Sequence, residues 1–517
     1  MTRKHLPGNL LKITTSAFWS LLFLSVVLLN GCKKEEPPVF EPYIPEEPTS
    51  CDTCKNVSSG VVVPLEDITD TYPAVVNSAP ATWGPYNVHD PSIIYHDGYY
   101  YCYNTDVAYG RAVEFGSTAG HQIRRSRDMI AWEYRGTAFT DYPVRGEAYI
   151  NAGGGTPNEN LWAPYITEYQ GEFRLYYSLA SNVSRLSCIG LATAPHPEGP
   201  WTEQGVVVSS VSSGVHTNAI DPTVITTDDG KQYMYYGSSW DGIYRLELDP
   251  LTGLSMVPES KGVRVAHRGF TGGTMNGNIE GPEIIYNEEF DKYYLFIAYD
   301  WLATKYNVRV VRSDNPEGPF YDYDGNPVNV LEDNGPMIIA PYAFQGHRGW
   351  QGVSHPSVFK DENGDIFIAH QGRPAVSPAY MVLHVRKLFW TEDGWPIASP
   401  QRYAGVAQGG IAEADIAGDW ERIVFGYRVV PGFADEQTSP DLQRADPLKI
   451  GSDGTLDDDP NSTWSFSEPW LTLNWADGTV EKVHVSYGRD WENDVESTLV
   501  FTGFDDEGTT VWGKKVD

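Results

Sequence analysis

Five prolines, Pro91, Pro164, Pro222, Pro282 and Pro356, follow residues whose types could do chemistry. Directly before them stand Asp90, Ala163, Asp221, Gly281 and His355, and one position earlier His89, Trp162, Ile220, Glu280 and Ser354. A single Asp-Pro says little, because it commonly opens a turn. Repetition changes the weighing, since a turn needs no acid in three of five related segments. Carboxyls brought together raise the energy unless a reaction uses them. Glycoside hydrolysis does: one carboxylate activates water, one carboxylic acid protonates the leaving oxygen, and a third tunes and orients the acid. Proline also disfavours the helical region for its predecessor, so each of these residues is predicted to be extended and to project in a fixed direction.

The prolines belong to an internal repeat. HDPSIIYHDGYYYCYNT, WAPYITEYQGEFRLYYSLA, IDPTVITTDDGKQYMYYGSS, EGPEIIYNEEFDKYYLFIAYD and SHPSVFKDENGDIFIAHQGR share a proline, a β-rich run, a polar hinge and a second β-rich run. Successive prolines are 73, 58, 60 and 74 residues apart. A second element, TAPHPEGPW ending at Trp201 and RSDNPEGPF ending at Phe320, keeps step with the first. Each unit offers about four short strands, with HDG, YQG, DDG and DENG as hinge chemistry. No ten-residue stretch of this body shows convincing 3.6-residue periodicity. Four-stranded units repeated radially predict an all-β, five-bladed propeller over residues 80–405. First strands of blades line the axis of such a ring, so the residues before the prolines are expected to converge. Residues 410–517 lose the repeat and alternate in hairpin fashion around Asp-Gly and Glu-Gly, which predicts a smaller antiparallel, barrel-like β domain.

Composition narrows the partners. With 37 Lys and Arg against 69 Asp and Glu, the net charge is −32. That excess repels phosphate backbones, so nucleic acid is not expected as a partner. Residues 1–31 carry Arg3, Lys4 and Lys12 ahead of an apolar run from Ala17 to Leu29, the layout of an export signal. The run ends in Leu-Asn-Gly-Cys, which resembles a bacterial lipobox and implies lipidation at Cys32. Residues 32–79 open with Lys-Lys-Glu-Glu-Pro-Pro and are predicted to be a tether, making the chain an exported lipoprotein held to a membrane by its N-terminal lipid alone. Cys51 and Cys54 form a lone C-x-x-C, for which a local disulfide is expected before zinc; Cys102 and Cys188 read as small buried residues.

The ordered motifs V-H-D-P-S, L-W-A-P-Y, I-D-P-T-V, I-E-G-P-E and S-H-P-S-V resemble glycoside hydrolase family 43, five-bladed propellers acting on arabinans and xylans with inversion. The resemblance implies Asp90 as general base, Glu280 as general acid and Asp221 as the residue that raises and orients the acid. GSSWDGIY, His355 and the C-terminal β domain are most similar to two-domain extracellular endo-α-1,5-L-arabinanases. That implies plant cell-wall arabinan as substrate, Trp162 and Trp240 stacking on furanose rings, and a calcium ion at His355 held mostly through water. Packing between blades is the plain alternative for both tryptophans. His370 and Arg373 are left without a role. Two other functions compete: an exo-acting α-L-arabinofuranosidase or β-xylosidase on the same fold, and a glycan-binding lipoprotein without turnover. Retention of three acids argues against the last, because binding alone needs no tuned acid and base.

Overall fold

The protein is described from a computed structural model, in which residues 79–107, 120–214, 216–271, 274–329, 336–426 and 442–516 are described, together with Leu65 and Ile68. The export signal, Cys32, the tether, and Cys51 and Cys54 lie outside the described residues. Cys102 and Cys188 are buried free thiols.

The fold is all-β with a propeller-like arrangement. Four repeat units form separate four-stranded sheets in which strands follow one another in chain order. Their first strands are Ser92–His96, Trp162–Tyr169, Thr223–Thr226 and Ile279–Asn287. The expected five like blades become four. The strands of the fifth unit, Ser357–Lys360, Ile366–Pro374, Val382–Trp390 and Pro396–Ala398, lie inside a seven-stranded sheet. Trp350–Gln351, Tyr342–Ala343 and Gln443–Arg444 extend it, the last pairing in parallel. The reason is apolar. One core cluster holds Tyr342, Trp350, Ile368 and Trp395 of this sheet region, with Ile338 of the fourth sheet, together with Ile423, Phe425, Phe504 and Trp512 of the C-terminal part. Near the start of the ring, Asn87 N donates to the Met381 carbonyl and Leu383 N to the Pro85 carbonyl, at 2.9 and 2.8 Å.

Two sets of side-chain bonds join neighbouring sheets. Near the axis, the residue after four of the five repeat prolines reaches the next sheet's first strand. Ser92 Oγ accepts from Ile166 N at 3.1 Å, Tyr165 OH donates to the Val224 carbonyl at 2.9 Å, Glu283 Oε1 accepts from Val358 N at 3.2 Å, and Ser357 Oγ accepts from Ile93 N at 3.1 Å. Farther out, tyrosines of second strands donate to carbonyls in the turn between the third and fourth strands of the next sheet. Tyr103 reaches Pro197 and Tyr235 reaches Pro316. Tyr176 reaches Gly253 at 3.1 Å and Tyr294 reaches Gly394 at 2.5 Å. The repeated P-E-G-P segments are therefore receptor turns for the preceding sheet. The fifth-to-first joint uses packing instead, with Phe359 and Phe367 against Met129 and Trp132.

Two α-helices interrupt the strands among the described residues, the four-residue Glu413–Ile416 and the nine-residue Val144–Ala152, just below the ten-residue length to which the sequence reading denied helical periodicity. The longer helix has its N-terminus met by a side chain: Glu203 accepts from Arg145 N at 3.0 and 2.9 Å and from Gly146 N at 3.2 Å. Eight strands, the first Gly418–Val424 and the last Thr510–Lys515, close into a barrel. Its interior is filled by Trp420, Leu448, Ile450, Leu471, Leu473, Val483, Val485 and Phe501. Against the ring it carries Lys514, whose ammonium meets Asp490, Glu492 and Glu421 at 2.8, 3.0 and 3.3 Å.

Candidate active site

The residues before the repeat prolines do come together, but not in the predicted conformation. Asp90, Asp221 and His355 have φ of 53°, 60° and 60°, and Gly281 has 54°. They are left-handed, not extended. Proline excludes the right-handed helical region for its predecessor, and the left-handed one is open mainly to Gly, Asn, Asp and His. The sequence supplies those types at four of five positions. In the second and fourth sheets the first strand instead continues back through the proline by way of a bulge, between Trp162 and Tyr165 and between Glu280 and Glu283. A bulge re-aims the chain and suits a residue that cannot donate a ladder bond. This explains why Trp162 and Glu280 stand one position earlier than Asp90 and Asp221.

These side chains line one cavity of about 330 Å³ that includes Asp90, Trp162, Asp221, Glu280 and His355. Trp240 is not among its lining residues; it is 39 % exposed. A larger cavity of about 460 Å³ lies between the third and fourth sheets, against Asp229, Tyr233, Tyr293 and Glu317, and touches none of the acids.

Asp90 is buried and its two oxygens differ. Oδ2 takes His89 Nδ1 at 2.6 Å and the Thr105 hydroxyl at 2.6 Å, while Oδ1 faces His355 Nδ1 at 3.0 Å. Its backbone N–H donates to Gln371 Oε1 at 3.0 Å. Burial alone pushes this carboxyl up, but the His355 and His89 rings and the Thr105 hydroxyl together hold it well below the usual range. Asp221 goes the other way. Burial raises it first, then the charges of Glu280 and Asp90, and the Gly281 N–H at 3.2 Å from Oδ2 does not offset them. The sequence reading had Asp221 raising its neighbour; the upward displacement resolved here is on Asp221. Glu280 accepts a 2.7 Å hydrogen bond from Ser238 at Oε2. Tyr306, buried beside His355 at 3.4 Å, has its phenol pushed far up by burial and then by the three carboxylates.

Thr105, Ser238, Gln371 and Tyr306 were missed. Thr105 and Ser238 sit just beyond the ends of second strands, Gln371 within one and Tyr306 just before a third strand, where no proline marks the position. Ser238 was in view within GSSWDGIY but read only for its tryptophan. Of the two residues left without a role, Arg373 lines the cavity. His370 is fully buried away from it, its Nε2 accepting from Arg386 Nε at 3.0 Å.

Calcium finds little to hold it. Calcium favours six to eight oxygen ligands. Among the described residues no three His, Cys, Asp or Glu side chains converge to bind a metal. His355 has one ring nitrogen committed to Asp90, which leaves at most the other. The side chains fit a hydrated ion resting on one imidazole and do not fit a protein-built calcium cage.

The profile described as glycosyl hydrolases family 43 matches residues 82–396, and that described as a C-terminal lipocalin-like domain matches residues 400–513. The chain is 28 % identical over 471 residues to an extracellular endo-α-(1→5)-L-arabinanase of Thermotoga petrophila, across 83 % of this chain and 94 % of that protein. It is 28 % identical over 469 residues to extracellular endo-α-(1→5)-L-arabinanase 2 of Bacillus subtilis, across 83 % and 93 %. The crystal structure of the endo-1,5-α-L-arabinanase from Thermotoga petrophila RKU-1 superimposes with a TM-score of 0.70 at 26 % identity, covering 84 % of this chain and 99 % of that one.

Proposed function

Since the chain belongs to glycosyl hydrolase family 43, we propose that its cavity hydrolyses internal α-1,5-L-arabinofuranosidic bonds of arabinan with inversion, Asp90 acting as base and Glu280 as acid. The observation that carries this reading is the convergence of Asp90, Asp221 and Glu280 on one cavity. Against its burial, Asp90 is held well below the usual carboxylate range by His355, His89 and Thr105, while Asp221 beside Glu280 is pushed up by burial and then by the charges of Glu280 and Asp90.

Lone-pair accounting names the reacting atoms. Each carboxylate oxygen accepts about two hydrogen bonds. Oδ2 of Asp90 is filled by His89 and Thr105, whereas Oδ1 has only His355. The water proton is therefore taken at Oδ1, with His355 fixing its direction. On Glu280 the Ser238 hydroxyl donates to Oε2, which fixes the carboxyl that gives a proton to the leaving oxygen. Asp221, bonded to the Gly281 N–H, is held beside the acid by the same bulge that sets the acid's position. The bond from the anomeric carbon to the leaving oxygen breaks as the water oxygen attaches from the opposite side. The product carries the proton from Glu280, and Asp90 holds the one from water.

In the same proposal the ring's seven-stranded sheet serves as the fifth blade through Ser357–Lys360 to Pro396–Ala398. Residues 80–405 are the catalytic domain and 410–517 an accessory one. In this reading the export signal and Cys32 attach the enzyme by lipid to a membrane, at the cell surface or its periplasmic face, where a polymer too large to import is cut. Calcium is kept only as a hydrated ion at His355, and no step passes through it.

The test is product analysis of the enzyme with debranched linear arabinan, alongside Asp90→Ala and Glu280→Ala. A ladder of short oligosaccharides is expected, lost about 100-fold or more in either variant. Release of arabinose alone would make the enzyme exo-acting, and near-normal rates in either variant would remove that residue from its role. Binding without any product would make the protein a glycan-capture lipoprotein.

A further inference from the structure

We propose that Gln371 and Ser178 are positioning residues, each using a side-chain oxygen to hold the backbone of an axial aspartate in the left-handed conformation from which its carboxyl reaches the cavity. The inference rests on the reading of Asp90 as base and of Asp221 as the partner of the acid Glu280.

The two residues occupy one position of the repeat. The residue after each repeat proline, or after the bulge that follows it, lies opposite a residue of its sheet's second strand. The pairs are Ser92 with Tyr103, Tyr165 with Tyr176, Thr223 with Tyr235, Glu283 with Phe296 and Ser357 with Ala369. Two positions further along the second strands stand Thr105, Ser178, Gly237, Ala298 and Gln371. A step of two returns to the same face of a strand, so these five are equivalent. Two of them reach forward to the backbone of the next sheet. Ser178 Oγ accepts from Asp221 N at 3.1 Å, and Gln371 Oε1 accepts from Asp90 N at 3.0 Å. In both cases the next sheet presents a left-handed aspartate. Ahead of Gly281, which takes a positive φ freely, the position is Gly237. Ahead of the strand residue Ala163 it is Thr105, whose hydroxyl turns to Asp90 Oδ2 at 2.6 Å. Ahead of His355 it is Ala298, and there the imidazole is met through its ring, by Asp90 at 3.0 Å and Tyr306 at 3.4 Å. The side-chain acceptor thus goes with the aspartates.

Elementary chemistry explains the need. The left-handed region is unfavourable for a residue with a side chain and persists where the surroundings over-determine it. Proline restricts Asp90 and Asp221 from the C-terminal side. From the other side the peptide unit can be fixed through its N–H, and that is the group each acceptor takes. Both acceptors are fully buried. The Ser178 hydroxyl gives its own proton to the Ala163 carbonyl at 2.9 Å, which turns a lone pair toward Asp221. At Gln371 the choice of atom is forced, because an N–H only donates and the amide oxygen must face it. Its amide nitrogen is then buried with no partner among the described residues. An apolar side chain would fill the same space without two unpaired donors. Glutamate would offer an oxygen but add a negative charge beside the base. What the glutamine supplies is a neutral acceptor.

The two latches serve different sides of the reaction. Ser178 holds Asp221, whose Oδ2 accepts at 3.2 Å from the N–H of Gly281, the residue after Glu280. Gln371 holds Asp90. Loss of the first therefore disturbs proton delivery to the leaving oxygen, and loss of the second disturbs the activation of water.

The experiment measures kcat and KM for the parent, Gln371→Met and Ser178→Ala on a linear α-1,5-arabino-oligosaccharide and on a dinitrophenyl glycoside of the same sugar, with melting temperatures as the folding control. On the oligosaccharide both variants should keep KM within about twofold and lose kcat about 10- to 100-fold. The dinitrophenolate leaves without a proton, so on that substrate Ser178→Ala should come within about threefold of the parent. Gln371→Met should stay impaired there, and added azide should restore part of its turnover. Azide bonds to the anomeric carbon as the bond to dinitrophenolate breaks, giving the inverted glycosyl azide with no proton to remove. A fraction of misfolded enzyme would lower both substrates alike and would not answer to azide. Parental kcat in a variant overturns the role of that residue, as does an equal loss on both substrates for Ser178→Ala or no azide response for Gln371→Met. A parent inactive on both substrates is a failure of the catalytic reading instead, and the inference falls with it. If a variant does not fold, a crystal structure of the parent decides: either aspartate outside the left-handed region, or its N–H off the named oxygen, overturns the latch, and both in place support it.

Discussion

In the proposed mechanism the partners of Asp90 choose its reactive oxygen. Oδ2 accepts from His89 and Thr105, so Oδ1, which faces His355 Nδ1 at 3.0 Å, is the oxygen left for water. His355, set against that oxygen, is then the group that limits where the water can stand. Replacing it by Gln keeps a donor of similar reach but loses the rigid ring. We expect His355→Gln to lower kcat more than it raises KM. Metal analysis of the parent after dialysis against calcium should find bound calcium that this variant lacks. A parent free of calcium would withdraw the ion and leave the orienting role to be judged on kcat alone.

At the scale of strands, the residue after four of the five repeat prolines acts as a rivet between sheets, and one rivet is titratable. Glu283 lies buried where the fourth sheet meets the fifth. Burial pushes its carboxyl up from 4.5 to about 8, against the smaller opposing effects of the Val358 N–H and Thr223. Between those two values the folded chain binds a proton that the unfolded chain has released. Stability from this group is complete below about 4.5 and is lost as pH rises through about 8. The melting temperature of the parent should therefore fall from pH 5 to pH 9. Glu283→Gln, which imitates the protonated acid, should flatten that fall; an unchanged slope would show that Glu283 is not the source.

The same strands show what could be read in advance. Asp90, Trp162, Asp221, Glu280 and His355 were legible because each stands at a fixed offset from a proline that recurs with the sheets. Their conformation was not legible. The proline rule excludes one region, and choosing between the two that remain depends on where the axis lies. Thr105, Gln371 and Tyr306 were illegible because ordinary polar residues at strand ends carry no periodic mark. The helix at Val144–Ala152 escaped because nine residues capped by the distant Glu203 make no face long enough to recognise. The fusion of the fifth unit with the barrel segment was hidden for a related reason. Its cause is a shared apolar core between residues far apart in the chain, while the local repeat at Pro356 looks like the other four.

Across the whole molecule that shared core decides how separable the barrel is. Phe425, Phe504 and Trp512 pack with Tyr342, Trp350 and Trp395, and Thr510 Oγ1 donates to the Met337 carbonyl at 2.7 Å. Ring and barrel fall in one compact unit. A chain ending at residue 405 would expose those aromatics and leave Gln345 without the Glu421 carboxylate that accepts its N–H at 2.5 Å. We expect that truncated chain to aggregate or to melt far below the parent. A soluble fragment with parental melting temperature and activity would show that the ring is self-sufficient.

The joint between Ser357 and Ile93 spans 264 positions of the chain. A growing polypeptide that has completed its fourth sheet already owns Asp90, Asp221 and Glu280, yet it lacks the imidazole that aims the base and the last wall of the ring. That wall in turn pairs in parallel with Gln443–Arg444. In the proposed mechanism the acids are therefore aimed only after joints between distant parts of the chain have closed, so the order in which the sequence presents its site residues is not the order in which the site becomes whole.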